Sequence, residues 1–278
     1  MPTVAEKRAA YRRLHDSGCF IIPNPWDIGT ARYLQGLGFK ALASTSAGFA
    51  FTLGLPDGAV TRDTMLTHFR ELAAATDVPI NADFEGGYAD APEDVAESVR
   101  LCIDTGVAGL SIEDCGDPKL PLYDFDLALA RVKAARAAID KAGGDVVFTA
   151  RSEGFIRGRP DLAETIRRLK AFSDAGADCL YAPGIKTREE IAAVVQAVAP
   201  KPVNFLMAAT TDFTVNDLAG LGVRRISLGG TLARVAWTGF TRAAREMAEE
   251  GKFTRLAGTM TNAELNAFFR DDTAKRAR

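Results

Sequence analysis

The stretch "GVAGLSIED", residues 106–114, holds the pattern that decides the fold. It follows an amphipathic helical run, and Gly106 can take the positive φ that ends a helix. Val107 to Ile112 then read as a short, mostly apolar strand. The strand closes on two acids, Glu113 and Asp114. The same order, helix then glycine then short strand, recurs at Gly38, Gly176 and Gly222. Strands are expected over 19–24, 39–44, 78–83, 107–114, 145–151, 177–183, 201–206 and 224–230. Amphipathic helices are expected over 92–105, 124–142, 161–175, 187–198 and 231–250. Thr61 and Thr187 stand as N-caps, and Pro92 falls in a first helical turn.

Eight strands alternating with helices predict an α/β fold of the closed parallel (β/α)8 type. The rival is an open doubly wound sheet, which usually carries a glycine-rich phosphate loop after its first strand. Here the first strand runs into "PNPWD" with no such fingerprint. A barrel of about 250 residues accounts for most of the 278. Residues 1–278 are therefore read as a single barrel domain, with 252–278 as a C-terminal helical extension. That extension carries Leu265, Phe268 and Phe269 at helical spacing, an apolar stripe that needs a partner. The expectation is docking on a neighbouring subunit, in a homodimer or homotetramer. Packing on its own barrel is the simpler alternative.

Composition removes several function classes. The chain is 47% hydrophobic and 25% charged, with a formal net charge of −2. No global field would gather nucleic acid or a membrane surface. There is no apolar run of transmembrane length. The N-terminus lacks the apolar core of a signal peptide. Cys19, Cys102, Cys115 and Cys179 form no CxxC pair and read as reduced thiols, so a cytoplasmic location is expected.

Barrel active sites are built on the C-terminal ends of the strands. Read in order, those ends give Asn24 and Asp27, Ser44 to Ser46, Asp83 and Glu85, Glu113 and Asp114, Arg151 and Glu153, and later Asn204. The loop after the second strand adds Asp57. A single acid at a strand end is usually a turn former or cap, and Asp27 and Asp114 are left in that role. Glu153 has a plain explanation as a partner of Arg151 or Arg157. Several carboxylates converging on one rim repel one another unless a cation or protons intervene. A hard divalent cation such as Mg²⁺ suits oxygen ligands and keeps positions open for a substrate. In "PINADFEGGYAD", residues 79–90, Asp83 and Glu85 share one face of a strand end, and Gly86-Gly87 would let the chain pass close over a ligand. His15 and His68 fall on helices as surface residues, which leaves no histidine for a metal or a base. No lysine ends a strand, which argues against a Schiff-base aldolase. "SLGGTLAR", residues 227–234, reads equally well as a phosphate-binding turn and as a tight strand-to-helix turn.

"STSAGFAFTLGLPDG" (44–58), "NADFEGGYAD" (81–90), "SIEDC" (111–115) and "TARSEGF" (149–155) together resemble the isocitrate lyase / phosphoenolpyruvate mutase superfamily. The order holds from about residue 18 to 250, and "MTNAELNAFF" is similar to the end of its short bacterial phosphonomutase-like branch. The resemblance implies a (β/α)8 barrel with Mg²⁺, Mn²⁺ being the alternative cation. It implies Asp83 as the principal metal-site aspartate, with Glu85, Glu113 and Asp57 holding the metal largely through water. Arg151 matches the substrate-contacting arginine. Ser46 and Ala47 lie in the loop whose amides hold the substrate's carboxylate and oxyanion, and Asn204 and Asp57 complete the expected substrate contacts. Arg151, Lys119 and Asp57 are the expected catalytic groups.

Family lyases carry a Lys-(Lys/Arg)-Cys-Gly-His stretch after the fourth strand, and mutases carry Lys-Thr-Asn-Ser. This chain has "EDCGDPKLPLYDF": Lys119 matches the first lysine, but no Cys-Gly-His follows and Pro121 replaces the asparagine. Cys115 falls too early to be the lyase cysteine and reads as a loop residue. A metal-assisted step on a small 2-oxo or 2-hydroxy carboxylate through an enolate therefore fits best, with oxaloacetate-type decarboxylation preferred. Phosphonomutase chemistry at a P–C bond is the alternative. A silent 2-oxo-acid-binding homologue is the non-enzymatic rival.

Overall fold

The computed structural model describes residues 2–116 and 121–277. Lys119 lies outside the described residues. Among those described, eight strands run β1 (Phe20–Ile22), β2 (Leu42–Ala43), β3 (Ile80–Asp83), β4 (Gly109–Glu113), β5 (Val147–Arg151), β6 (Cys179–Tyr181), β7 (Val203–Leu206) and β8 (Arg225–Ser227). Every ladder is parallel, in the order β1-β8-β7-β6-β5-β4-β3-β2. The Ala43 amide donates to the Pro23 carbonyl at 3.1 Å and draws β1 and β2 together. This is the expected (β/α)8 barrel. Each strand is shorter than the apolar run that announced it. Pro23, Pro79 and Pro202 flank β1, β3 and β7, and a proline has no N–H to give a ladder.

The helices are α1 (Val4–Leu14), α2 (Ile28–Gly36), α3 (Ser46–Thr52), α4 (Arg62–Ala75), α5 (Pro92–Ile103), α6 (Phe125–Lys141), α7 (Leu162–Asp174), α8 (Arg188–Val198), α9 (Val215–Gly220), α10 (Thr231–Glu250) and α11 (Asn262–Arg276). Thr61 and Thr187 cap α4 and α8 as expected, and Asp27 caps α2 through the Thr30 amide. Gly38, Gly106, Gly176 and Gly222 all take positive φ. These glycines free the chain to turn from helix into strand.

Apolar side chains from α4 to α8 and the outer strand faces form the main core, with Phe69, Phe84, Phe148 and Phe172 fully buried. Inside the barrel the filling is partly polar. Tyr11 of α1 reaches in from the N-terminal end, and its hydroxyl donates to Asn81 at 3.2 Å. The buried Arg225 guanidinium donates to that hydroxyl (2.9 Å), to Asn204 (2.8 Å) and to Thr149 (3.0 Å). This network closes the floor beneath the C-terminal rim.

One expectation about position changes. His15 and His68 are not surface residues. His15 packs edge-on against Tyr11 and Phe20, and His68 is buried, stacked on Phe49 at 3.7 Å between centroids. Burial pushes the His68 imidazole down to about 4, and burial together with Arg225 pushes His15 down to about 3. The extension folds back onto α2 of its own chain. Phe268 lies against Tyr33 at 4.7 Å and over Gly36, and Asp272 pairs with Arg32.

Candidate active site at the C-terminal rim

Strand register assembles the rim. Glu113 pairs with Arg151, Arg151 with Tyr181 and Tyr181 with Asn204 across β4 to β7. In-register residues of parallel neighbours point to the same face, so all four turn toward the barrel axis. Above them opens a cavity of about 380 Å³, lined also by Ser46, Ala47, Asp57, Asp83, Glu85, Glu153 and Arg157. Every described residue expected at the site borders this one space.

Arg151 is its hub. Nη1 donates to Asp83 Oδ1 at 2.8 Å and lies 3.0 Å from Glu113 Oε1, and Nε donates to Glu153 Oε1 at 2.8 Å. The guanidinium also lies over the Tyr181 ring, 4.9 Å from its centroid. Burial works against its charge, yet Glu113, Glu153 and Asp83 together hold it well above the usual arginine range. The second oxygen of Asp83 accepts from the Ser46 amide (3.0 Å) and hydroxyl (3.1 Å). Thr45 caps α3 through the Gly48 amide, which fixes Ser46 and Ala47 in the first turn beside Asp83. Glu85 sits in left-handed backbone, φ 47°, and accepts from the Tyr88 hydroxyl at 2.8 Å.

The carboxylates crowd one another. Burial raises Glu85 to about 7; Tyr88 lowers it in part, and the charges of Asp83, Glu113 and Asp57 raise it further. Burial likewise pushes Glu113 and Glu153 up against the pull of Arg151. Asp57 is raised by burial and by Asp83, with Ser46 opposing. A divalent cation would relieve this repulsion. Among the described residues no three of the Asp, Glu, Cys or His groups stand together as a ready metal cage, because Arg151 occupies the middle of the acids. The donor set is all carboxylate oxygen, which fits a hard cation that keeps most of its water.

Other expectations shift in detail. Gly86 has a packing role within the chain. A side chain at Gly86 would collide with the Cys115 carbonyl, so the glycine lets the β3 turn press against the end of β4. Asp114 is no simple turn former. It is buried, accepts from the Glu153 amide at 2.8 Å and pairs with Arg168 at 3.2 Å. Cys115 is buried beside the site, its Sγ 3.4 Å from Glu113 and 3.2 Å from Arg157 Nη2. Asn204 has both amide ends engaged, by Ser227 and Arg225. In "SLGGTLAR" the amides of Leu228 and Gly229 are taken by Asn24 Oδ1 at 2.9 and 3.0 Å, which favours the tight-turn reading. Arg157 was legible only as a possible partner of Glu153, because its approach to Cys115 depends on how two loops meet.

Residues 11–248 match the phosphoenolpyruvate phosphomutase family, and that span takes in every strand of the barrel. The chain belongs to this family. Its membership in the isocitrate lyase / phosphoenolpyruvate mutase superfamily is thereby shown. An oxaloacetate decarboxylase of Paraburkholderia xenovorans is 32% identical over 232 residues, covering 80% of this chain and 74% of that one. A Burkholderia cenocepacia J2315 crystal structure provisionally assigned as a lyase/mutase superposes with a TM-score of 0.91 at 47% identity, covering 96% of each chain. A second structure from that organism, provisionally assigned as a phosphonomutase, gives 0.81 at 36% identity over 86% of this chain and 99% of its own. The family relatives thus include both C–C lyases and phosphonomutases.

Proposed function

We propose that the chain is a Mg²⁺-dependent enzyme acting on a small 2-oxo or 2-hydroxy carboxylate through an enolate, with oxaloacetate-type decarboxylation preferred. The observation that carries this reading is the ring of Asp83, Glu113 and Glu153 around Arg151, with the Ser46 amide beside it, at the mouth of a closed barrel. Asp83, Glu85 and Glu113 would hold the cation, with Mn²⁺ able to replace Mg²⁺. When bound, it supplies Lewis-acid polarisation of the 2-oxo oxygen. Arg151 would stabilise the negative charge that develops on the enolate oxygen, an interaction worth most in a buried, prearranged site. Ser46 and Ala47 would orient the substrate carboxylate through their amides. Asn204 would fix the cavity floor, and Asp57 would contact the substrate from the loop after α3. Lys119 is proposed as an additional positive group.

Turnover of oxaloacetate, 2-methylisocitrate-type acids and phosphonopyruvate, each with Mg²⁺ and with EDTA, tests this. Mg²⁺-dependent loss of oxaloacetate is the expected result. Turnover of none of the three, or turnover unchanged by EDTA, would contradict it. The 36% identity to a provisional phosphonomutase favours P–C chemistry as the second reading, which the phosphonopyruvate arm decides. Binding without turnover would mark a silent homologue.

We also propose a cytoplasmic homodimer or homotetramer. Among the described residues no helix is long and apolar enough to cross a membrane, and the cysteines are free thiols. Support for assembly comes from α10 more than from the extension. Ala233 is the one residue of its 20 that is buried, while Trp237, Phe240 and Met247, which share one side of the helix, are 41%, 63% and 39% exposed. An apolar helix face of this kind is characteristic of an interaction surface.

A further inference from the structure

We propose that Arg157 determines specificity: its guanidinium receives a second anionic group of the substrate, so the chain selects dianionic acids over monocarboxylates. This rests on the reading that the cavity takes a 2-oxo or 2-hydroxy acid. Three arginines line that cavity, and they are used differently. Arg151 is committed to Asp83, Glu113 and Glu153. Arg225 is committed to Tyr11, Asn204 and Thr149 on the barrel axis. Arg157 makes one side-chain hydrogen bond among the described residues, from Nη2 to the Cys115 sulfur at 3.2 Å. Its carboxylate neighbour, Glu113 Oε2, stands at 4.0 Å, beyond hydrogen-bond reach.

A guanidinium carries five N–H donors, and a thiol is a weak acceptor. Among the described residues Arg157 therefore has donors to spare, on a side chain only 20% exposed. Its loop is also fixed. The Arg157 amide donates to the Glu153 carbonyl at 3.0 Å and the Arg159 amide to the Gly154 carbonyl at 2.8 Å. Gly184 lets the next loop press against Phe155 and Ile156. The fork is held at the cavity wall before any ligand arrives, so little ordering opposes its grip on a carboxylate or phosphonate. Five carboxylates line the same cavity and would repel a dianion, which makes a spare cation decisive for one.

A contact made equally in ground state and transition state lowers KM without raising kcat. With oxaloacetate, Arg157→Gln should raise KM about tenfold and leave kcat within about twofold. A purely structural arginine would lower kcat and melting temperature together. Calorimetry with Mg²⁺ present, using malate and lactate, isolates the second carboxylate. The wild type should bind malate at least ~10-fold tighter than lactate, a ratio worth about 1.4 kcal/mol. Arg157→Gln should erase that preference by weakening malate alone, and Arg157→Lys should restore part of it. Equal weakening of both acids, or no change in either, would overturn the role of Arg157 while leaving the acid-binding reading intact. A wild type that binds neither acid would overturn both.

Discussion

Arg151 shares one guanidinium among three carboxylates, and each of those acids is otherwise costly to bury. The arrangement predicts sharp sensitivity at this residue. Arg151→Lys keeps the charge but loses the planar fork, and kcat should fall by roughly 10²–10³, about 2.7–4 kcal/mol. Asp83→Ala should abolish metal-dependent turnover, since it removes the one carboxylate joining Arg151 to Ser46. Near-normal steady-state kinetics in either variant would refute the site assignment. Cys115→Ser should stay active within a few-fold, because a hydroxyl can still meet Arg157 and Glu113. His68 gives a pH prediction. Its folded-state value, about 4, lies below the ordinary 6.5, so the unfolded chain takes up a proton first as pH falls. The stability His68 allows is complete above about 6.5 and is lost as pH drops toward 4. Relative to His68→Phe, which keeps the stack on Phe49, the wild type should lose up to about 1.4 kcal/mol per pH unit across that window. Parallel denaturation curves for the two proteins at pH 7 and pH 4.5 would contradict this.

Gly86 shows what an element requires beyond its propensity. Its turn is pressed against the end of β4, so Gly86→Ala should destabilise the fold by about 1–3 kcal/mol through overpacking. An unchanged urea midpoint would mean the two segments can part without loss. The barrel itself was legible because the signals are local: a glycine at four of the helix stops, a capping threonine, a short apolar strand. So was the rim, since strand ends alternate in sequence and converge in space. The purpose of Gly86, the burial of Cys115 and the stacking of His68 on Phe49 were not legible, because each depends on a contact between separate segments. The short helix α3 was hidden as well. "SAGFAF" has neither the length nor the periodicity of a helix, and Gly48 within it makes room for Trp26 and Ala233. In the extension Phe268 lies over Gly36 of α2, a position where any side chain would collide with its ring.

At the scale of the whole molecule, a polar-floored barrel carries its charged site on one rim and leaves α10 projecting with an apolar face. If that face joins subunits, light scattering of the wild type should give a dimer or tetramer mass. Phe240→Asp should shift it toward monomer without unfolding the barrel, since Phe240 touches little of its own chain. A wild type at the monomer mass of 29.7 kDa would refute assembly. The central claim, that the ringed acids and Arg151 form a cation-assisted site for a small 2-oxo acid, is tested most directly by a crystal structure with Mg²⁺ and oxalate, a stable mimic of the pyruvate enolate. The account predicts a cation beside Asp83, oxalate upon it, and Arg151 turned from its carboxylates toward an oxalate oxygen. Oxalate bound elsewhere, or a cavity holding neither while Arg151 stays locked to Asp83 and Glu113, would contradict it.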